Sequence, residues 1–145
     1  MDGTPPSRGS SATAARRARA ARYDEALAGA GRLIAPAVLH GRDHAYQTYA
    51  VMVSPGGKRL PAMADLDALN RRRNAVMGEM ERAGIGVRQG TPAVHTLGYY
   101  QSRYGYRDED LPNSLLADRL SIGLPLYPQM TDGEQDRVLE MLCAV

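Results

Sequence analysis

The chain has 145 residues, about one domain, and an apolar content of 43%, which is enough to build a core. A net charge of +2 is too small to make nucleic acid the main partner, and a single cysteine, Cys143, excludes an internal disulfide and fits a cytoplasmic setting. No run approaches the ~20 apolar residues of a membrane helix and no apolar segment of the signal-peptide kind opens the chain, so the sequence predicts neither a membrane partner nor secretion.

Residues 1–13 (MDGTPPSRGSSAT) have almost nothing to bury and are expected to form a disordered tail. From Ala14 the composition turns to Ala and Arg, the best helix formers, so a helix is expected to about Ala28, stopped by Gly29 and Gly31. Its apolar stripe is thin, with Tyr23 and Leu27 at i, i+4 spacing. The next element, Ala45 to Val53 (AYQTYAVMV), is β-branched and aromatic and reads as a strand, followed by a turn at Gly56-Gly57. Leu66, Leu69, Val76, Met77 and Met80 recur at spacings of three and four, which predicts an amphipathic helix from Leu66 to Ala83 with Arg71 to Arg73 off its apolar face. Gly84 suits the position just past that helix.

Ile85 to Gln89 reads as a second strand and Ile122 to Tyr127 as a third, where Pro125 points to an edge or a strand end. Between them Pro112 opens a helix through Leu115, Leu116 and Leu120. The last helix carries Thr131-x-x-Glu134, a capping box, ahead of Val138, Leu139 and Leu142. These elements predict an α+β domain: a small antiparallel or mixed sheet of about three strands, covered on one side by helices, with no internal repeat. The chain has no Phe or Trp, so its rings are eight tyrosines, a residue that suits interfaces and domain seams better than a deep core.

Several residues invite a chemical reading. His95 ends the turn Gly90-Thr91-Pro92-Ala93-Val94-His95 just after a strand, where loops present side chains to ligands; the alternative is a histidine that hydrogen-bonds loop backbone. Tyr99, Tyr100, Tyr104 and Tyr106 cluster near Arg88, Arg103 and Arg107. Such rings stack on a base while arginines hold phosphate, although packing over the domain or its seam explains them more simply. Lys58, the one lysine, sits in a Gly-Gly turn that offers no pocket to lower its pKa, and Gly57-Lys58-Arg59 lacks the Ser or Thr of a phosphate loop. Gly29-Ala30-Gly31 lacks the third glycine of a dinucleotide fingerprint, Cys143 has no histidine near it in sequence, and His40 and His44 flank a loop, so no metal site is expected. Arg16, Arg17, Arg19 and Arg22 form a basic run, but no nucleic-acid recognition fold follows it.

The segment from Ala83 to Thr131 resembles the C-terminal part of the DegT/StrS family of pyridoxal-phosphate-dependent sugar aminotransferases. The resemblance is carried, in order, by Gly84-Ile85, Pro92 to His95, Tyr99-Tyr100, Leu111-Pro112, the Leu124 to Pro128 run LPLYP, and Thr131. Arg16, Ala20, Tyr23, Asp24 and Leu27 resemble a further run, R-x-x-x-A-x-x-Y-D-x-x-L, which extends the likeness to about residues 16–145. It implies a connecting helix at 14–30 and, at 31–145, the small C-terminal domain of a fold-type I pyridoxal-phosphate-dependent transferase. It places the turn at the mouth of an active site, with Thr91, His95, Tyr99 and Tyr100 as substrate-binding residues and no catalytic residue in this chain. Gly90 and Thr91 stand where the family often has His-Tyr, and Ala93 where it usually has Pro.

The resemblance implies pyridoxal phosphate in the complete enzyme and no cofactor for this chain alone, since the Schiff-base lysine belongs to the large domain. The implied partners are a separately encoded large domain or a homodimer partner, and a nucleotide-sugar substrate. The expected function is amino transfer to a keto sugar for surface glycans or natural products, carried out only with the large domain. The alternative is a non-catalytic remnant or binding module.

Overall fold

The computed structural model describes residues 8–57 and 59–143. Lys58 and residues 1–7 of the expected tail lie outside the described residues. Helix α1 spans Arg8–Leu27, so it begins six residues before the expected Ala14 and takes in residues 8–13 of that tail. Strands β1 (Leu33–Ile34) and β2 (Tyr49–Val53) follow, then α2 (Leu66–Arg82) and β3 (Arg88–Gln89). A short α3 (Gly98–Tyr104) precedes α4 (Pro112–Leu120), β4 (Ser121–Leu124) and α5 (Asp132–Cys143).

The sheet has four strands in the order β1-β2-β4-β3, every pair antiparallel. Sequence reading missed β1, a two-residue strand too short to show a period. It also made β3 too long. Gly84 adopts φ 75° and Ile85 N donates to Met80 O at 2.9 Å while Gly84 N donates to Glu81 O at 2.9 Å. That is the paired closure of a Schellman motif, so Ile85 belongs to the helix end and turns into the core. Pro125 marks a strand end: β4 stops at Leu124 and is central, paired with both β2 and β3.

Alternation along the strands separates two faces. Tyr49, Val51, Val53, Ile122 and Leu124 point into one core shared with Ala20, Tyr23 and Leu27 of α1, Leu69, Val76 and Met80 of α2, Leu116 and Leu120 of α4, and Val138 and Leu142 of α5. The opposite positions carry Ala50 and Met52 on β2, Ser121 and Gly123 on β4, and Arg88 on β3.

Two expectations about side chains are corrected. The tyrosines do not all sit at seams: Tyr23 and Tyr49 are the largest fully buried side chains, with ring centroids 4.9 Å apart. Each hydroxyl has an acceptor, Tyr23 Oη donating to Pro125 O at 2.8 Å and Tyr49 Oη to Asp24 Oδ1 at 2.5 Å, which removes the cost of burying it. Burial, first of all, raises both phenol pKa values above their ordinary range. Arg73 is the second correction. It lies on the buried stripe of α2, where Arg73 Nε donates to Arg119 O at 2.8 Å and so satisfies a carbonyl of the last turn of α4.

The basic run of α1 divides: Arg17 pairs with Asp43 at 3.6 Å in the loop before β2, while Arg19 and Arg22 turn to α5. Arg19 pairs with Asp132 and Arg22 with Asp136, while the fully buried Gln135 donates from Nε2 to Arg19 O at 2.8 Å. At the head of α5 the expected capping box is formed, with Thr131 N to Glu134 Oε2 at 2.7 Å and Glu134 N to Thr131 Oγ1 at 3.2 Å. The hydrogen bond from Arg19 holds the Asp132 carboxyl below its ordinary pKa, and the Thr131 backbone does the same for Glu134. A depressed carboxylate pKa stabilises the fold above the unfolded value and loses that contribution as pH falls through the folded one. The melting temperature is therefore expected to fall as pH is lowered from about 5 towards 3. In Asp132→Asn the same scan should be shallower; an unchanged slope would show that the α1–α5 clasp contributes nothing.

Candidate functional site

The turn that follows β3 is fastened from below by α4 and β4. A Cβ on Gly90 would lie 2.7 Å from Ser121 Oγ and 3.0 Å from Ala50 Cβ, so only glycine fits there. The departure from His at this place thus has a local cause: Ser121 and Ala50 fill the space. Thr91 N donates to Ser121 Oγ at 3.3 Å, and Asp118 accepts from Ala93 N at 2.8 Å and from the side chain of Gln89. Gln89 Nε2 also donates to Thr91 O at 3.2 Å. The Thr91 side chain is left exposed at the rim.

His95 lies under the turn, 4% exposed, in a single 3₁₀ turn over Val94–Thr96. Its Nε2 is 2.9 Å from Asp108 O. A carbonyl only accepts, so Nε2 carries a proton, and in the neutral ring Nδ1 is then an acceptor. That Nδ1 is buried and has no hydrogen-bond partner among the described residues. A buried orphan acceptor is rare enough to require a reason, a water or a further donor. Asp108 is itself held, since Gln101 Nε2 donates to Asp108 Oδ1 at 2.8 Å.

Helix α3 brings the predicted tyrosines together as one ladder beside the turn. Tyr99 meets Tyr100 edge-on at 5.3 Å, Tyr100 stacks on Tyr104 at 6.0 Å, and Tyr104 is 6.1 Å from Tyr106, whose edge faces His95 at 6.4 Å. Tyr99 is 68% exposed and Tyr104 61%, beside Val94 at 45% and Leu97 at 50%, so the ladder ends in an uncovered apolar surface. Two of the three arginines near it in sequence turn elsewhere. Arg107 pairs with Asp110 at 3.2 Å, and Arg88 reaches across the sheet to Thr48. Asp118 and Ser121, which hold the site in place, gave no signal in the sequence because each reaches it from a distant segment, and Asp108, just past Tyr106, gave none either.

The histidines behave as loop residues. His40 is exposed and His44 Nδ1 accepts from Tyr46 N at 2.9 Å; among the described residues no group of histidine, cysteine and carboxylate side chains forms a metal site. Cys143 is exposed. Among the described residues no helix is long and apolar enough to cross a membrane.

The family model described as the DegT/DnrJ/EryC1/StrS aminotransferase family matches residues 8–143. The chain belongs to that family. It is 31% identical over 121 residues to the spore coat polysaccharide biosynthesis protein SpsC of Bacillus subtilis, an alignment covering 83% of this chain and 28% of that protein. Among solved structures, S. venezuelae DesV in complex with a ketimine intermediate superposes with a TM-score of 0.76 at 20% identity, over 93% of this chain and 32% of DesV. The putative sugar aminotransferase Spr1654 from Streptococcus pneumoniae, in its apo-form, also gives 0.76, at 21% identity, over 94% of this chain and 31% of its own. These likenesses identify the α+β fold as a part of the aminotransferase fold, and the chain spans less than a third of each of these relatives. The family is one of cofactor-dependent sugar aminotransferases.

Proposed function

We propose that the chain is the C-terminal part of a pyridoxal-phosphate-dependent nucleotide-sugar aminotransferase, active only with a large domain encoded separately or joined to it. The observation that carries this reading is the family match over residues 8–143 by a chain that spans 28% of SpsC. Within it, α1 supplies the connecting helix of residues 14–30, ending at Leu27, and 31–145 are the small domain. Exposed Thr91 and Tyr99, with Tyr100 beside them, face the sugar nucleotide, and His95 offers its buried Nδ1 to a hydroxyl of that substrate. The apolar end of the tyrosine ladder is the surface that a large domain or homodimer partner covers, since patches of this kind are rarely left open in monomers. The name of SpsC supports a product destined for a polysaccharide. The reading places the protein in the cytoplasm.

The test is reconstitution. Co-expression with the large domain of a family relative is expected to give a soluble complex that transfers an amino group to a nucleotide-linked keto sugar. The chain alone is expected to show no transfer and, after borohydride treatment with pyridoxal phosphate, no stoichiometric adduct. A stable monomer that binds no large domain would favour the non-catalytic module instead, and a saturable adduct at Lys58 would make the chain an enzyme by itself.

A further inference from the structure

We propose that Arg88 forms a phosphate-binding seat on the sheet face opposite the helices. Arg88 pairs in register with Gly123 of β4, and its side chain lies flat across that glycine. A Cβ on Gly123 would come within 3.2 Å of Arg88 Cγ and 3.6 Å of Arg88 Nε, so a side chain there would crowd the arginine stem and shift it. Beyond Gly123, Arg88 Nη2 donates to Thr48 Oγ1 at 2.8 Å, at the threshold of β2. The guanidinium is thus fixed along its stem and at its tip.

It is fixed without being neutralised. Arg19, Arg22, Arg59 and Arg107 each pair with a carboxylate, whereas among the described residues Arg88 has no such partner and its anchor is a neutral hydroxyl. A guanidinium has five N–H donors, and only one is spent on Thr48. The free donors border a hollow of about 370 Å³ lined by Gln47, Thr48, Gly86, Gly123 and Pro125, with no acidic residue in its wall. A planar fork held in place beside a wall free of negative charge suits an oxyanion that accepts two parallel hydrogen bonds, and phosphate does so. Only the identity of the phosphate's carrier rests on the aminotransferase reading, in which it is the nucleotide of the sugar substrate.

Titrating the intact chain with inorganic pyrophosphate at low ionic strength tests the seat by NMR. Saturable shifts are expected at the Arg88 side-chain N–H and at the amides of Thr48, Gly86 and Gly123. Arg88→Gln should abolish them, and Arg88→Lys, which keeps the charge but loses the fork, should weaken binding about tenfold. Gly123→Ala should weaken it by displacing the stem with every donor still present; Thr48→Val does the same at the tip should the glycine variant not fold. A nucleoside diphosphate saturating the same residues below the pyrophosphate concentration assigns the carrier as a nucleotide, and the reverse order assigns a free anion; either supports the seat. Shifts that persist in Arg88→Gln, that spread over the surface arginines, or that acetate reproduces at equal concentration would overturn it. The titration needs no large domain, so its failure leaves the aminotransferase reading standing, and failed reconstitution leaves the seat standing.

Discussion

Replacing Tyr23 by alanine is expected to lower the melting temperature by about 10 °C or more. The side chain is fully buried, its ring lies 4.9 Å from that of Tyr49, and its hydroxyl holds Pro125 O at 2.8 Å. Removing a buried aromatic of this size costs about 3 to 5 kcal/mol, a large part of the roughly 5 to 15 kcal/mol that holds a domain folded. At this chain length each kcal/mol moves the midpoint by about 2 to 4 °C. Tyr23→Phe keeps the ring and leaves the Pro125 carbonyl without its donor, so it should cost only about 1 to 2 kcal/mol. The pair of variants also measures how α1 relates to the remainder. Should Tyr23→Ala melt within a degree or two of the parent, α1 would be a detached connecting helix and not a wall of the core.

Tyr23 also shows what the sequence made legible and what it hid. The run R-x-x-x-A-x-x-Y-D-x-x-L was readable as a family pattern, and Tyr23 and Leu27 as its thin apolar stripe, but the partners of that stripe were not. Ala20, Tyr23 and Leu27 form the buried stripe of α1, and Asp24 exists there to receive the Tyr49 hydroxyl, a partner 25 positions away. Periodicity located α2, α4 and α5 within about a residue, because each has an apolar stripe and a local start or stop signal such as Pro112, the Thr131 box or Gly84. It failed where structure is decided across strands. The pairing of Leu33 with Val53 that makes β1, and the helix-end hydrogen bonds that draw Ile85 out of β3, depend on contacts that no local pattern encodes.

The same division holds for the site. The turn, His95 and the tyrosines stood out as residue types close in sequence, and the structure does bring them together. What positions them did not stand out. Gly90 looked like a missing histidine and proves to be a glycine required by Ser121, which is 31 residues further on. Arg88 looked like a companion of the tyrosines, yet β-strand alternation sends it across Gly123 to Thr48.

His95 decides whether the turn is a substrate contact or a scaffold, and two substitutions separate its two nitrogens. His95→Ala removes both and should cost the chain about 2 to 3 kcal/mol, because the Asp108 carbonyl loses its donor at 2.9 Å and a small cavity opens. In the reconstituted enzyme it should also lower kcat/KM for the sugar nucleotide about ten- to hundredfold, while cofactor absorbance stays as it was. His95→Gln puts an amide N–H near the place of Nε2 and nothing at the place of Nδ1. It is therefore expected to recover most of the melting temperature and little of the sugar specificity. If glutamine restores both, Nδ1 has no ligand to meet, and the substrate contact passes to Thr91, Tyr99 and Tyr100.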